Sequence, residues 1–227
     1  MTMLLSFAQT AEPDAWFSRN VEGTVFDPNL QDIERHLIAS FEFLSTDIPL
    51  EVLEIGCSRG DRIARISHAT GARCVGVDPS SEAIRAGKTL FQERVLLSEA
   101  PGHNTGFPTD SFDVVLLGWF LLYLNRRELK DVVQEAIRVL RPRGVLAILD
   151  YSYPFLEDKS LEYSHQQGLM VYRRNYQAIL QERGFGLLAK FPLQNDGRVT
   201  RVSESVRDRL ALDVYQRIDK TEWETIR

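Results

Sequence analysis

Glu54-Ile-Gly56-Cys57-Ser58-Arg59-Gly60 places two glycines, a thiol and a hydroxyl in one short stretch. It follows the mainly apolar run 50–53 and leads into Asp61-Arg-Ile-Ala-Arg-Ile66, whose apolar residues have helical spacing. Where a strand passes through glycines into a helix, bare backbone lets a ligand approach, and the helix N-terminus offers free N–H groups. A second apolar run, 72–77, ends in Asp78 and Pro79. A carboxylate at the tip of the second strand of such a unit can accept two hydrogen bonds from a ribose diol. The same side chain can instead cap the next helix. The first half of the chain therefore reads as a site for an adenosine-type ligand at the carboxyl ends of parallel strands.

A nicotinamide dinucleotide fits this spacing poorly. Gly-x-Gly-x-x-Gly aligned on Gly56 requires glycine at 58 and 61, where Ser58 and Asp61 stand. The spacing resembles instead Glu/Asp-x-Gly-x-Gly-x-Gly, the first motif of class I S-adenosylmethionine (SAM)-dependent methyltransferases. Glu54, Gly56 and Gly60 match it, and Ser58 replaces the middle glycine. Phe107-Pro-Thr-Asp-Ser-Phe-Asp-Val-Val-Leu-Leu117 resembles the turn that opens the family's fourth strand. Val139-Leu-Arg-Pro142-Arg-Gly144 resembles the turn before its fifth, with Arg143 in place of the first glycine. The similarity, to the small-molecule branch of the family, covers about 15–192. Trp16-Phe-Ser-Arg-Asn20 and Ser164-His-Gln-Gln-Gly168 look like a subgroup associated with bacterial polysaccharide and secondary-metabolite pathways.

The resemblance implies an α/β fold: a Rossmann-like, doubly wound, seven-stranded sheet of order 3-2-1-4-5-7-6, with the last strand antiparallel and helices on both faces. It implies SAM as cofactor, S-adenosylhomocysteine as product and no metal. Gly56, Cys57, Ser58 and Gly60 would hold the methionine portion, with Glu54 beneath the turn. Asp78 and Pro79 would meet the ribose, Glu99 and Ala100 the adenine, and Leu117 and Gly118 the methionine amine.

Methyl transfer is an in-line attack on a sulfonium methyl, so much of the work is alignment and exclusion of water. A general base is required only when the nucleophile starts protonated. His165, Asp150 and Tyr151 are the candidates for that base. Acceptor-binding candidates are Trp16, Arg19, Trp119, Tyr123, Tyr172, Arg173 and Arg174, the arginines because a guanidinium presents a bidentate fork to an anion. His165 can equally be a loop imidazole, and the arginines a solvated helix start. The expected acceptor is a small molecule methylated at oxygen: a sugar, a polysaccharide precursor or a secondary metabolite. A catalytically silent SAM-binding partner or regulatory subunit with the same fold is the alternative.

These residues need elements to position them. Strands are expected near 50–55, 72–77, 94–98, 112–118 and 144–150, and helices near 60–69, 80–91 and 126–141. Two N-terminal helices form a cap over about 14–45. After Asp150, an aromatic and irregular insertion, about 151–173, reads as a lid. A short helix near 174–183 and strands over 185–193 and 208–218 complete a single domain spanning 1–227.

Composition narrows the partners. A net charge of −5 and the absence of a Lys/Arg tract argue against a nucleic-acid substrate. No apolar run reaches the length of a membrane span. The first residues lack a basic segment, so no secretion signal is expected and the location reads as cytoplasmic. Cys57 and Cys74 read as reduced thiols, and no Cys/His spacing suggests zinc. A monomer or homodimer is expected.

Overall fold

The computed structural model describes Phe7 and residues 10–44, 47–153, 158–162, 169–194, 198–200 and 210–218. Strands β1 (Glu51–Ile55), β2 (Arg73–Asp78), β3 (Leu96–Glu99), β4 (Phe112–Gly118) and β5 (Leu140–Tyr151) run parallel. A hairpin of β6 (Lys159–Glu162) and β7 (Met170–Arg173) stands apart from the sheet. β8 (Phe185–Leu193) and β9 (Leu210–Arg217) complete the order β3-β2-β1-β4-β5-β9-β8. β9 is antiparallel to both its neighbours. This is the expected order 3-2-1-4-5-7-6 with the last strand antiparallel, the edge strands being renumbered by the intervening hairpin.

Helices α1 (Glu12–Asn20), α2 (Asp32–Phe41), α3 (Asp61–Thr70), α4 (Ser81–Phe91), α5 (Arg126–Val139) and α6 (Tyr176–Gln181) cover the sheet. Strand residues alternate between its faces. Leu53, Ile55, Val115, Leu117, Leu146 and Ile148 pack with α5 and α6. Val52, Val114, Leu116, Val145, Ala147 and Leu149 pack with α2, α3 and α4. Burial on both faces is why these strands read as nearly continuous apolar runs.

Two expectations are corrected. The insertion after β5 is not wholly irregular: Lys159 to Glu162 pair with Arg173 to Met170. Every residue of β6 is exposed, so its sequence lacks the alternation that marks a strand. Helix α5 stops at Val139 rather than 141. Leu140 already pairs with Phe112, the ladder skips to Val145, and Arg143 takes φ 64° in the intervening bulge.

Candidate functional site

The turn after β1 is tied to the tip of β2. Gly56 and Cys57 donate their N–H groups to the Val77 carbonyl, at 2.8 and 3.1 Å. Ser58, at φ 49°, donates its N–H to Asp78 Oδ2 at 2.7 Å, and Ser80 donates to Asp78 Oδ1 at 2.8 Å. Asp78 thus braces two backbone segments, yet each of its oxygens keeps a further lone pair. Burial pushes its carboxyl up to about 6, against the pull of those two N–H donors.

Glu54 lies beneath the turn, 1% exposed, and pairs with Arg62 of α3. Burial raises its pKa despite that cation. Glu54 Oε2, Arg62 Nε and Ser58 Oγ are all buried and have no partner among the described residues. Gly118 leaves room for this pair, because a Cβ there would stand 2.7 Å from Arg62 Nη1. Trp119 follows at φ 64°, an uncommon conformation for a side chain of that size.

A cleft opens above the turn. Ser58, Arg62, Asp78 and Pro79 line one part, and Phe120, Tyr123, Leu124 and Val132 another. Phe7, Pro13, Trp16 and Val21 of the N-terminal segment cover it. Phe7 stacks on Tyr123 at 4.8 Å and donates its N–H to Glu128 Oε1. Asp14 accepts hydrogen bonds from the Ser80 hydroxyl and the Glu82 N–H, fastening α1 to the start of α4. Of the two N-terminal helices, α1 lines the cleft, whereas α2 packs against the sheet. Among the described residues, none of 151–153, 158–162 or 169–173 lines it.

Gly56, Cys57, Ser58, Asp78, Pro79, Gly118, Trp16, Trp119 and Tyr123 all line this cleft. Others sit elsewhere. Gly60 opens α3 at φ 88° with Leu97 behind it, and Leu117 is fully buried in the core. Ala100 donates its N–H to the Asp78 carbonyl, and Glu99 borders a separate groove with Arg85 and Lys88. Arg19 pairs with Glu12.

Two of the three acid–base candidates, Asp150 and Tyr151, lie away from the cleft. Asp150 is 1% exposed and accepts N–H groups from Leu122 and Tyr151, at 3.0 and 2.6 Å, so it closes the turn after β4 and does not reach the cleft. Tyr151 packs between the two cores. Burial pushes Asp150 up to about 7. Arg174 is buried against Asp158 with Tyr172 on its face at 4.3 Å, and Arg173 lies over the Tyr151 ring at 4.2 Å. That cluster anchors the hairpin. His165 lies outside the described residues.

Among the lining residues that the sequence reading did not assign to the site are Phe7, Arg62, His103 and Glu128. Arg62 carried a signal, since Arg59, Arg62 and Arg65 recur every three residues on α3. The other three carried none, because long-range packing brings them together.

Residues 53–148 match a family model described as a methyltransferase domain. The 27-O-demethylrifamycin SV methyltransferase of Amycolatopsis mediterranei is 28% identical over 148 residues, 61% of this chain and 53% of that protein. Chondramide synthase cmdD of Chondromyces crocatus is 30% identical over 192 residues, 74% of this chain and 5% of that protein. The chain thus spans about half, or much less, of the length of such relatives. Among solved structures, the Burkholderia thailandensis 1,6-didemethyltoxoflavin-N1-methyltransferase superposes with a TM-score of 0.63 at 16% identity. That match covers 89% of this chain and 83% of that one, and that protein was crystallised with 1,6-didemethyltoxoflavin and S-adenosylhomocysteine.

Proposed function

Because the chain belongs to the class I SAM-dependent methyltransferase family, we propose that it transfers a methyl group from SAM to a small-molecule acceptor, at oxygen. The observation that carries this reading is the set of unspent polar atoms around the glycine turn. Glu54 Oε2 can accept from an ammonium, and Arg62 Nε and Ser58 Oγ can donate to a carboxylate. Beside them, Asp78 retains lone pairs for a ribose diol. An amino acid joined to a nucleoside needs these three kinds of partner.

Bound there, SAM supplies an electrophilic methyl. The chain's own residues hold and align. Ser58, Arg62 and Asp78 would hold the two ends of the cofactor, and Phe7, Pro13 and Trp16, which line the cleft, would help keep water from the reacting atoms. We read the protein as one cytoplasmic domain acting on a small molecule, as a monomer or homodimer. Among the described residues, no helix is long and apolar enough to cross a membrane and no metal-binding cluster is found.

Calorimetry tests the cofactor. S-adenosylhomocysteine should bind with about 7–8 kcal/mol, and NAD far more weakly. Tighter binding of NAD would sink the assignment. Incubation with labelled SAM and an extract of the source cells should give labelled small molecules; label found solely in protein or nucleic acid would overturn the acceptor class.

A further inference from the structure

We propose that His103 receives the acceptor's proton, and that the acceptor is a hydroxyarene: a planar ring bearing a phenolic or enolic hydroxyl. This inference rests on the SAM reading of the same cleft.

The loop that carries His103 is held in place. Asn104 donates its N–H to the Pro101 carbonyl at 3.0 Å, closing a turn in which Gly102 and His103 are the central residues. Gly102 is packed so closely that an added Cβ would meet Ile55 at 3.0 Å, Val132 at 3.4 Å and Phe120 at 3.5 Å. On the other side, the Thr105 N–H and hydroxyl both donate to Glu135 Oε1, at 2.8 and 2.6 Å. His103 thus lines the cleft from its solvent-exposed side, on a loop pinned on both flanks. A site held this way by its supporting contacts can position a proton acceptor.

Several charged groups lining the cleft are already paired. Arg59 is bound to Asp61 and Thr24, Arg65 to Glu34, and Arg62 to Glu54. Glu128 accepts N–H groups from Phe7 and Asn125. His103 makes no hydrogen bond or ion pair with the described residues. Imidazole is also the side chain best suited to take a proton near neutral pH.

The walls beside His103 select the acceptor. Phe7, Phe120, Tyr123 and Val132 are aromatic or aliphatic. A sugar set against those walls would bring several hydroxyls, each costly to leave without a partner. A flat ring brings faces that match aromatic walls, and one hydroxyl for one imidazole. A phenol also ionises near 10, within a few units of imidazole.

The step balances. A lone pair of the hydroxyl oxygen forms the bond to the methyl carbon, and the carbon–sulfur bond breaks with its pair going to sulfur. The hydroxyl proton passes to the unprotonated ring nitrogen of His103. The products are an aryl methyl ether, a thioether and an imidazolium, which returns its proton to water.

The test uses full-length protein saturated with S-adenosylhomocysteine, with 4-nitrophenol as the hydroxyarene probe and methyl glucoside as the polyol probe. Nitrophenol reports its own ionisation through the absorbance of its anion. It should bind and, slightly below neutral pH, show a larger anionic fraction than in free solution. His103→Gln should keep nitrophenol affinity within about threefold while the anionic fraction of bound dye falls several-fold. Methyl glucoside should not compete. Failure of the dye to bind, displacement by glucoside, or an anionic fraction unchanged by His103→Gln would each overturn the proposal. Failure of S-adenosylhomocysteine itself to bind is a separate result, which removes the cofactor reading beneath it.

Discussion

The Phe120 ring lies directly on Gly56: a Cβ added to that glycine would stand 2.5 Å from Phe120 Cδ1. Gly56 also sits at φ 78°, where a side chain is strained whatever the space around it. The first glycine of the motif is therefore required by the fold before any cofactor arrives. Gly56→Ala should cost about 1–3 kcal/mol in urea denaturation. Adding Phe120→Ala should recover the steric part and leave the backbone part. Full recovery in the double variant would show that the φ value carries no cost.

Asp78 sets a pH dependence on cofactor binding. Its carboxyl is pushed up to about 6 by burial, and the neutral acid offers fewer acceptor sites to a diol. The raised value means that its contribution to folding is present below the ordinary carboxylate range and is lost as pH rises through 6. A ribose that binds the charged form draws on that cost. Affinity for S-adenosylhomocysteine should fall as pH drops through 6, and Asp78→Asn should weaken binding about 10–100-fold above that pH. Calorimetry across the range should show the variant nearly flat. Parallel curves for the two proteins would assign Asp78 a bracing role alone.

Asp150 should behave as a structural group. Its folded-state pKa of about 7 lies above the ordinary 3.8, so its contribution to stability is fully present below pH 3.8 and is lost as pH rises through 7. Asp150→Asn should remove this slope from the urea midpoint plotted against pH. It should leave affinity for S-adenosylhomocysteine within about twofold. A large loss of affinity in a folded variant would return Asp150 to the site.

Glu135 holds the His103 loop. Although burial opposes it, hydrogen bonds from Arg138 and Thr105 keep its carboxyl down at about 2. A lowered value means stability that is present above the ordinary 4.5 and is lost as pH falls through 2. Glu135→Ala should cost about 1–3 kcal/mol at neutral pH and speed hydrogen exchange at Thr105. Unchanged exchange there would show that the loop is held by Gly102 packing alone.

The hairpin β6–β7 shows why part of the chain could not be read. Its strands pair with each other rather than with the sheet, and β6 is solvent-exposed throughout. No buried face imposes alternation on it, so composition alone resembled an irregular lid. Asp150 lies away from the cleft for a related reason. Residues at the carboxyl end of a central strand usually face the ligand. Here the turn of Leu121 to Tyr123 folds over the end of β5, and its Leu122 N–H takes up Asp150.

Sequence alone determined what depends on short-range spacing: the parallel strands, the glycine turn and the carboxylate at the tip of β2. Burial on both faces writes the strands as apolar runs, and a tight turn admits few residues at Gly56 and Ser58. Tertiary structure alone decided which side chains share the cleft. Phe7 and Glu128 are 121 residues apart, and Thr105 and Glu135 are 30 apart. Such pairs meet because the N-terminal segment and the loop after β3 both close against α5, a convergence set by packing around the sheet and carried by no local pattern.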